Sequence, residues 1–404
     1  MFPGRHRGLT PTARVCHPFG VGAFGGWACR ADRPLGEYTA TPFVVPFPRL
    51  VCIMRLCFRS VVGSFLAACL MVGSAVADDS VSVAASKKTA SSASSSGGVR
   101  MGNGSMVFET VPGWGLRPDG ASAIGASHGA VVIDKAGNIF TSSSRGVYVF
   151  TPEGQVVQSY LDPEFSNFHD MEIREEDGQE YIYAAVNDGA KGLKFNAHSG
   201  EIVLRLPYPP ESGLGEIPFN PTAITVDPDG NIYLSNGYAT NHIFKYDKDG
   251  KYIMHFGEKG NEKKQFNTAH GMTLDTRYDP PRLLICDRNH QPRGRLVHYD
   301  LDGQFIEEIV SDLGMPTSAS IQGEYVSVPD LQGRVAIING KHQVVAVLGH
   351  NPDPKTSGNY YVPVSQWIDG VLTGSHGSYW DADGSLYVQD WNVDGRMTKF
   401  QRVK

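Results

Sequence analysis

The sequence predicts an all-β fold, a six-bladed β-propeller, over residues 105–404. Three observations predict it. A hairpin pattern (an alternating apolar run, an Asp, a Gly-containing turn, a second apolar run) recurs at roughly 50 residues, a period of propeller blades. Six copies of it fill that span. The 46 glycines and only 19% charged residues among 404 suit many tight turns between short strands.

Taken in order, the first copy pairs residues 130–134 with 137–140, and the second pairs 171–173 with 178–183. The third is the clearest: Ala223-Ile224-Thr225-Val226-Asp227, the turn Pro228-Asp229-Gly230-Asn231, then Ile232-Tyr233-Leu234. Alternation followed by such a turn reads as a β-hairpin. The fourth copy opens at His270 and closes on Asp287-Arg288. The fifth is degenerate (318–321 with 323–328), and the sixth pairs 378–381 with 384–388. An outer hairpin follows each copy, and a strand near 105–111 is expected to complete the last blade. Closing the ring removes the free sheet edges that a linear array would leave.

The N-terminal hundred residues read differently. Met54-Arg55-Leu56-Cys57-Phe58-Arg59 is a basic segment, 61–73 is apolar, and Ala75-Val76-Ala77 fits small-residue cleavage. Residues 54–77 are therefore expected to be a secretory signal peptide, 1–53 a misassigned upstream extension, and the Ser/Ala/Gly-rich 78–104 a flexible linker. Export to a periplasmic or extracellular location follows. Leu66-Ala67-Ala68-Cys69 resembles a lipobox, and lipid on Cys69 would tether the chain to a membrane. The apolar Leu70-Met71-Val72 beyond it favours cleavage after Ala77 instead. Five of six cysteines precede residue 70, leaving Cys286 as a small buried hydrophobe and no disulfide framework in the domain. The net charge of −6 provides no basic field for nucleic acid.

The residues that open the innermost strands are His128, His169, Thr222, His270, Thr317 and His376. A lone His there is ordinarily a hydrogen-bonded turn residue. His169, His270 and His376, however, share one register on alternate blades and would converge at one end of the channel. Three imidazoles with an open position form the arrangement of a catalytic zinc. His128 stands one residue further from its Asp and would replace His169 as a ligand if the register of the blades slipped. Arg145, Tyr238 and Arg288 each follow the second strand of a copy and gather at the same face. Read singly, they are solvated loop tips and rim packing. A Tyr between two Arg beside a metal can act as a base.

The repeats resemble the NHL propellers, which are mostly binding scaffolds, so the fold leaves function open. Residues 219–295 further resemble the peptidyl-α-hydroxyglycine α-amidating lyase family. Carrying that resemblance are Pro221-Thr222, Ser235-Asn236-Gly237-Tyr238, Gly250-Lys251, Phe256-Gly257-Glu258, Gln265-Phe266, His270 and Asp287-Arg288-Asn289. It implies zinc on His169, His270 and His376, Tyr238 as the catalytic base, and Arg145 and Arg288 as active-site arginines. The implied reaction splits a small molecule or peptide ending in α-hydroxyglycine into an amide and glyoxylate. Ala239 and Gly374 depart from the family's Cys and Met. Gly377 replaces an Asp that helps hold a structural calcium, which puts calcium in doubt. A non-catalytic binding propeller and a metal-dependent hydrolase or lactonase are the alternatives, the latter with Asp170, Asp287, Asp330 and Asp390 as candidate acidic ligands.

Overall fold

The computed structural model describes residues 97–404. The expected extension, signal peptide, Cys69 and most of the linker lie outside the described residues. The described chain is all-β, and its sheets are the six blades of a propeller. Five blades are four-stranded and run outward in chain order, beginning at Val131–Ile133, Phe168–Glu176, Ala223–Val226, Ala269–Asp275 and Ser320–Gln322. The sixth begins at Ser375–Trp380 and has five strands.

The turn chemistry is repetitive. In the first and third blades the Asp that ends the innermost strand accepts from the turn Asn twice. Asn138 N and Nδ2 reach Asp134 at 2.7 and 2.8 Å, and Asn231 does the same to Asp227 at 2.8 and 2.9 Å. The intervening Gly230 has φ 85°, a conformation that costs glycine little.

Burial is organised by the gaps between blades. Six hydrophobic clusters each fill one seam. The seam between blades three and four holds Tyr233, Phe266, Leu274 and Val297, for example, and that between five and six holds Val335, Leu372 and Trp380. Both faces of a blade's inner strands are therefore buried. Cys286 sits fully buried and free in the seam between blades four and five, where burial raises its thiol pKa.

The ring closes as expected and then extends one strand further. Met106–Thr110 pairs with the C-terminal Arg396–Arg402, with Phe108 opposite Arg402 and Thr110 opposite Phe400. Arg100–Asn103, inside the stretch expected to be linker, adds a fifth strand to this sheet. The order extends back because Val99 N donates to Thr110 Oγ1 at 2.8 Å and Met101 packs against the seam between blades five and six. Among the described residues no helix is long and apolar enough to cross a membrane.

Candidate metal centre

A recurring bulge aims three side chains at the propeller axis. The ladder between first and second strands skips one residue in each even blade: between Phe168 and Asp170, between Ala269 and Gly271, and between Ser375 and Gly377. The skipped residues are His169, His270 and His376. A bulge leaves its extra residue unpaired and re-aims the side chain, so the three imidazoles converge. Their ring centroids lie 4.6, 4.7 and 5.0 Å apart.

Each ring is held by the next blade. His169 Nδ1 donates to Thr222 O at 2.6 Å, His270 Nδ1 to Thr317 O at 2.7 Å, and His376 Nδ1 to Gly129 O at 3.0 Å. Even blades supply the imidazoles and odd blades the carbonyls. A proton fixed on Nδ1 leaves the Nε2 lone pair facing inward, the tautomer and brace that metal-bound histidines use. All three rings are 1–2% exposed. Burial is the largest influence holding their pKa values well below the ordinary value. The neighbouring imidazoles and Arg288 add to it. They are neutral at pH 7, as ligation requires.

Tyr238 reaches the same point. Its hydroxyl lies 3.0 Å from His169 Nε2, 3.0 Å from His270 Nε2 and 3.3 Å from His128 Nε2. Arg288, directly after the second strand of blade four, donates to that oxygen at 3.3 Å and places its guanidinium 5.2 Å from the ring. A phenol has one proton to donate. The inward lone pairs of His169 and His270 already exceed it, and His376 Nε2 is buried without a hydrogen bond. A donor set with surplus, converging, neutral nitrogen lone pairs fits a divalent ion such as zinc, which imidazole suits.

The fourth imidazole was legible only as a residue out of register. By its bracing carbonyl, Gly129 matches Thr222 and Thr317, so His128 stands where Pro221 and Pro316 stand in the other odd blades. It nevertheless reaches the centre, with ring centroids 4.7 Å from His169 and 4.6 Å from His376. Burial, then Arg288, brings its pKa down to about 4. Trp391 lies 6.0 Å from the His128 ring and 5.0 Å from Tyr360.

Arg145 sits at the rim. It donates to Ile124 O at 3.1 Å and Ala123 O at 3.2 Å. Among the described residues none of its hydrogen bonds reaches Tyr238 or an imidazole.

The candidate acidic ligands are structural pins instead. Asp287 accepts from Asn267 N at 2.7 Å and Arg295 Nε at 3.0 Å, and Asp330 accepts from Met315 N at 2.8 Å and Arg334 Nε at 2.7 Å. Asp390 accepts from Thr373 N at 2.8 Å, and Asp170 accepts from Ile224 N at 3.1 Å. At Gly377, a Cβ would meet Gly129 O at 2.6 Å and the Ala130 Cα at 2.8 Å. No acidic side chain fits there without moving backbone, so the calcium that the resemblance left in doubt is not proposed.

No protein-family profile matches the chain. It is similar to peptidyl-glycine alpha-amidating monooxygenase B of Xenopus laevis, 30% identical over 95 residues, covering 22% of this chain and 10% of that protein. It is also similar to peptidylglycine alpha-amidating monooxygenase of Rattus norvegicus, 26% identical over 127 residues, covering 30% and 12%. The similarity thus spans about a tenth of these relatives' length. Among solved structures, a gluconolactonase from Xanthomonas campestris superposes with a TM-score of 0.51 at 12% identity, covering 75% of this chain and 90% of that one. A streptogramin B lyase gives 0.49 at 13% identity, covering 70% and 95%. At such identities the gluconolactonase shows the propeller fold and nothing about chemistry.

Proposed function

We propose that the chain is an exported zinc-dependent lyase of the amidating type. Its substrate would be a peptide or small molecule ending in α-hydroxyglycine, cleaved to the amide and glyoxylate. One observation carries the reading: the Tyr238 hydroxyl stands among inward-facing imidazoles with the Arg288 guanidinium donating to it. The short similarity to amidating monooxygenases supports the substrate class.

His169, His270 and His376 would hold the ion, and zinc bound there supplies a Lewis acid for a substrate oxygen. Tyr238 takes the proton of the substrate hydroxyl. The O–H bonding pair becomes the new C=O bond, the C–N bond breaks with its electron pair leaving on nitrogen, and the departing amide nitrogen takes up the proton that Tyr238 has accepted. Arg288 offsets negative charge on the phenolic oxygen and adjoins the position a substrate carboxylate would take.

The test is glyoxylate release from α-hydroxyhippurate by the full chain, alongside Tyr238→Phe. Wild-type activity, reduced about 10²–10⁴-fold in the variant with zinc retained, is expected. A folded, zinc-loaded wild type that releases no glyoxylate, or an unimpaired Tyr238→Phe, would refute the lyase. Export is tested separately, by whether the secreted protein begins at Asp78.

A further inference from the structure

A three-histidine centre has no use for His128, yet the fold brings it in. His128 lies in the chain just before the innermost strand of blade one. Ser127 pins that chain to blade six, with Ser127 N donating to Asn392 O at 2.9 Å and Ser127 Oγ to Asp390 O at 2.6 Å. The pin holds His128 over the axis. One ring nitrogen from each of His128, His169 and His376 lies within 4.8 Å of the other two, a grouping that takes in His128 and not His270. His270 joins it through the Tyr238 hydroxyl, 3.0 Å from its Nε2, and by ring centroids 4.6 and 5.0 Å from His169 and His376. Zinc–nitrogen bonds of about 2.0–2.1 Å at a tetrahedral centre place ligand atoms roughly 3.4 Å apart. Closing from one spacing to the other falls mainly to His128, whose ring has no carbonyl brace among the described residues.

We propose that His128 is a fourth imidazole ligand, so that blade one caps the centre that blades two, four and six build. The proposal rests on the reading above that these histidines hold a divalent ion. Its physical basis is an asymmetry. Pro221 and Pro316 take the equivalent place in the other odd blades and offer no donor. His169, His270 and His376 are locked by Nδ1 bonds to backbone carbonyls, whereas no such brace holds His128 among the described residues. It is also the least buried of the four rings. His128 is therefore the ligand that can leave. A four-imidazole set would fill the position a catalytic zinc keeps open, so His128 would have to give way for a substrate oxygen to bind.

The test counts coordinated imidazoles by pulsed electron paramagnetic resonance on the full chain loaded with one equivalent of Cu²⁺. It compares wild type with His128→Ala and His128→Gln and checks each fold by circular dichroism. Zinc affinity is read in parallel by chelator competition. Four imidazoles in the wild type, three in both variants, and zinc binding weakened by about tenfold or more are expected, since changes even beyond the ligand shell cost that much. A wild type with three imidazoles, or a count unchanged by the substitutions, would overturn the assignment and leave the three-histidine lyase standing. A folded wild type that binds neither copper nor zinc would overturn both.

Discussion

Replacing Gly377 with Ala is the sharpest probe of how the centre is built, because it touches no imidazole. The added Cβ would meet Gly129 O at 2.6 Å, the Ala130 Cα at 2.8 Å and the Ala130 carbonyl carbon at 3.3 Å. All three are backbone atoms of blade one, so no flexible side chain can move aside. Overpacking of this kind costs about 1–3 kcal/mol. The same Gly129 carbonyl accepts from His376 Nδ1 at 3.0 Å, so moving it loosens the brace that orients the ring. Loss of such a brace weakens metal affinity roughly 10–100-fold. Urea unfolding of the metal-free protein and zinc titration against a chelator read the two effects separately. Gly340→Ala, whose Cβ meets nothing nearer than 3.6 Å, is the control. A Gly377→Ala protein within about 0.5 kcal/mol of wild type, the usual range of surface substitutions, and with unchanged zinc affinity would refute the account.

Zinc at about a hundredfold over its dissociation constant should raise the unfolding free energy by about 2.7 kcal/mol. His376→Ala, which removes one buried ligand, should cut that gain by about 1.4 kcal/mol or more in a denaturant titration, as a tenfold or greater loss of affinity requires. In the metal-free protein, the buried histidines have folded pKa values below their unfolded value near 6.5. Their stabilisation is complete above that pH and is lost as pH falls through it. Raised carboxyls such as Asp170 act in the opposite direction, so the difference from His270→Ala isolates one imidazole. Between pH 6 and 5 the wild type should lose about 1 kcal/mol more than the variant; parallel curves would remove the buried neutral His270. Phe108→Ala in the closing strand should cost about 3–5 kcal/mol in the same unfolding assay, because the ring is completely buried in the seam between blades five and six.

The fold was legible because every hairpin carries its own apolar alternation and turn, down to the degenerate fifth copy. The convergence of His169, His270 and His376 was legible because identical bulges give identical register. His128 was not. The residue in its blade's bracing register is Gly129, which has no side chain, and the inward reach of the preceding residue depends on Ser127 being pinned to blade six. Chain position brought Arg145 and Arg288 to the same face, but it could not show that Arg288 would donate to Tyr238 while Arg145 turned to the 123–124 carbonyls. The carboxylates of Asp287 and Asp330 looked like candidate ligands because the arginines that occupy them lie on the following strand, across a ladder that sequence spacing does not display.

The strand that closes the ring is made first and finds its partner last. Met106–Thr110 leaves the ribosome some three hundred residues before Arg396–Arg402, the edge on which it settles. Loop closure over such a separation is slow relative to hairpin formation. The five intervening blades can each zip locally while both ends of the arc stay open. During that interval Arg396–Arg402 is an unpaired template for any extended chain. Assembly of the centre must wait as well, since His376 is braced by blade one across the same gap. The imidazole cluster therefore becomes complete only when the circle does, and an incomplete arc cannot brace all three rings.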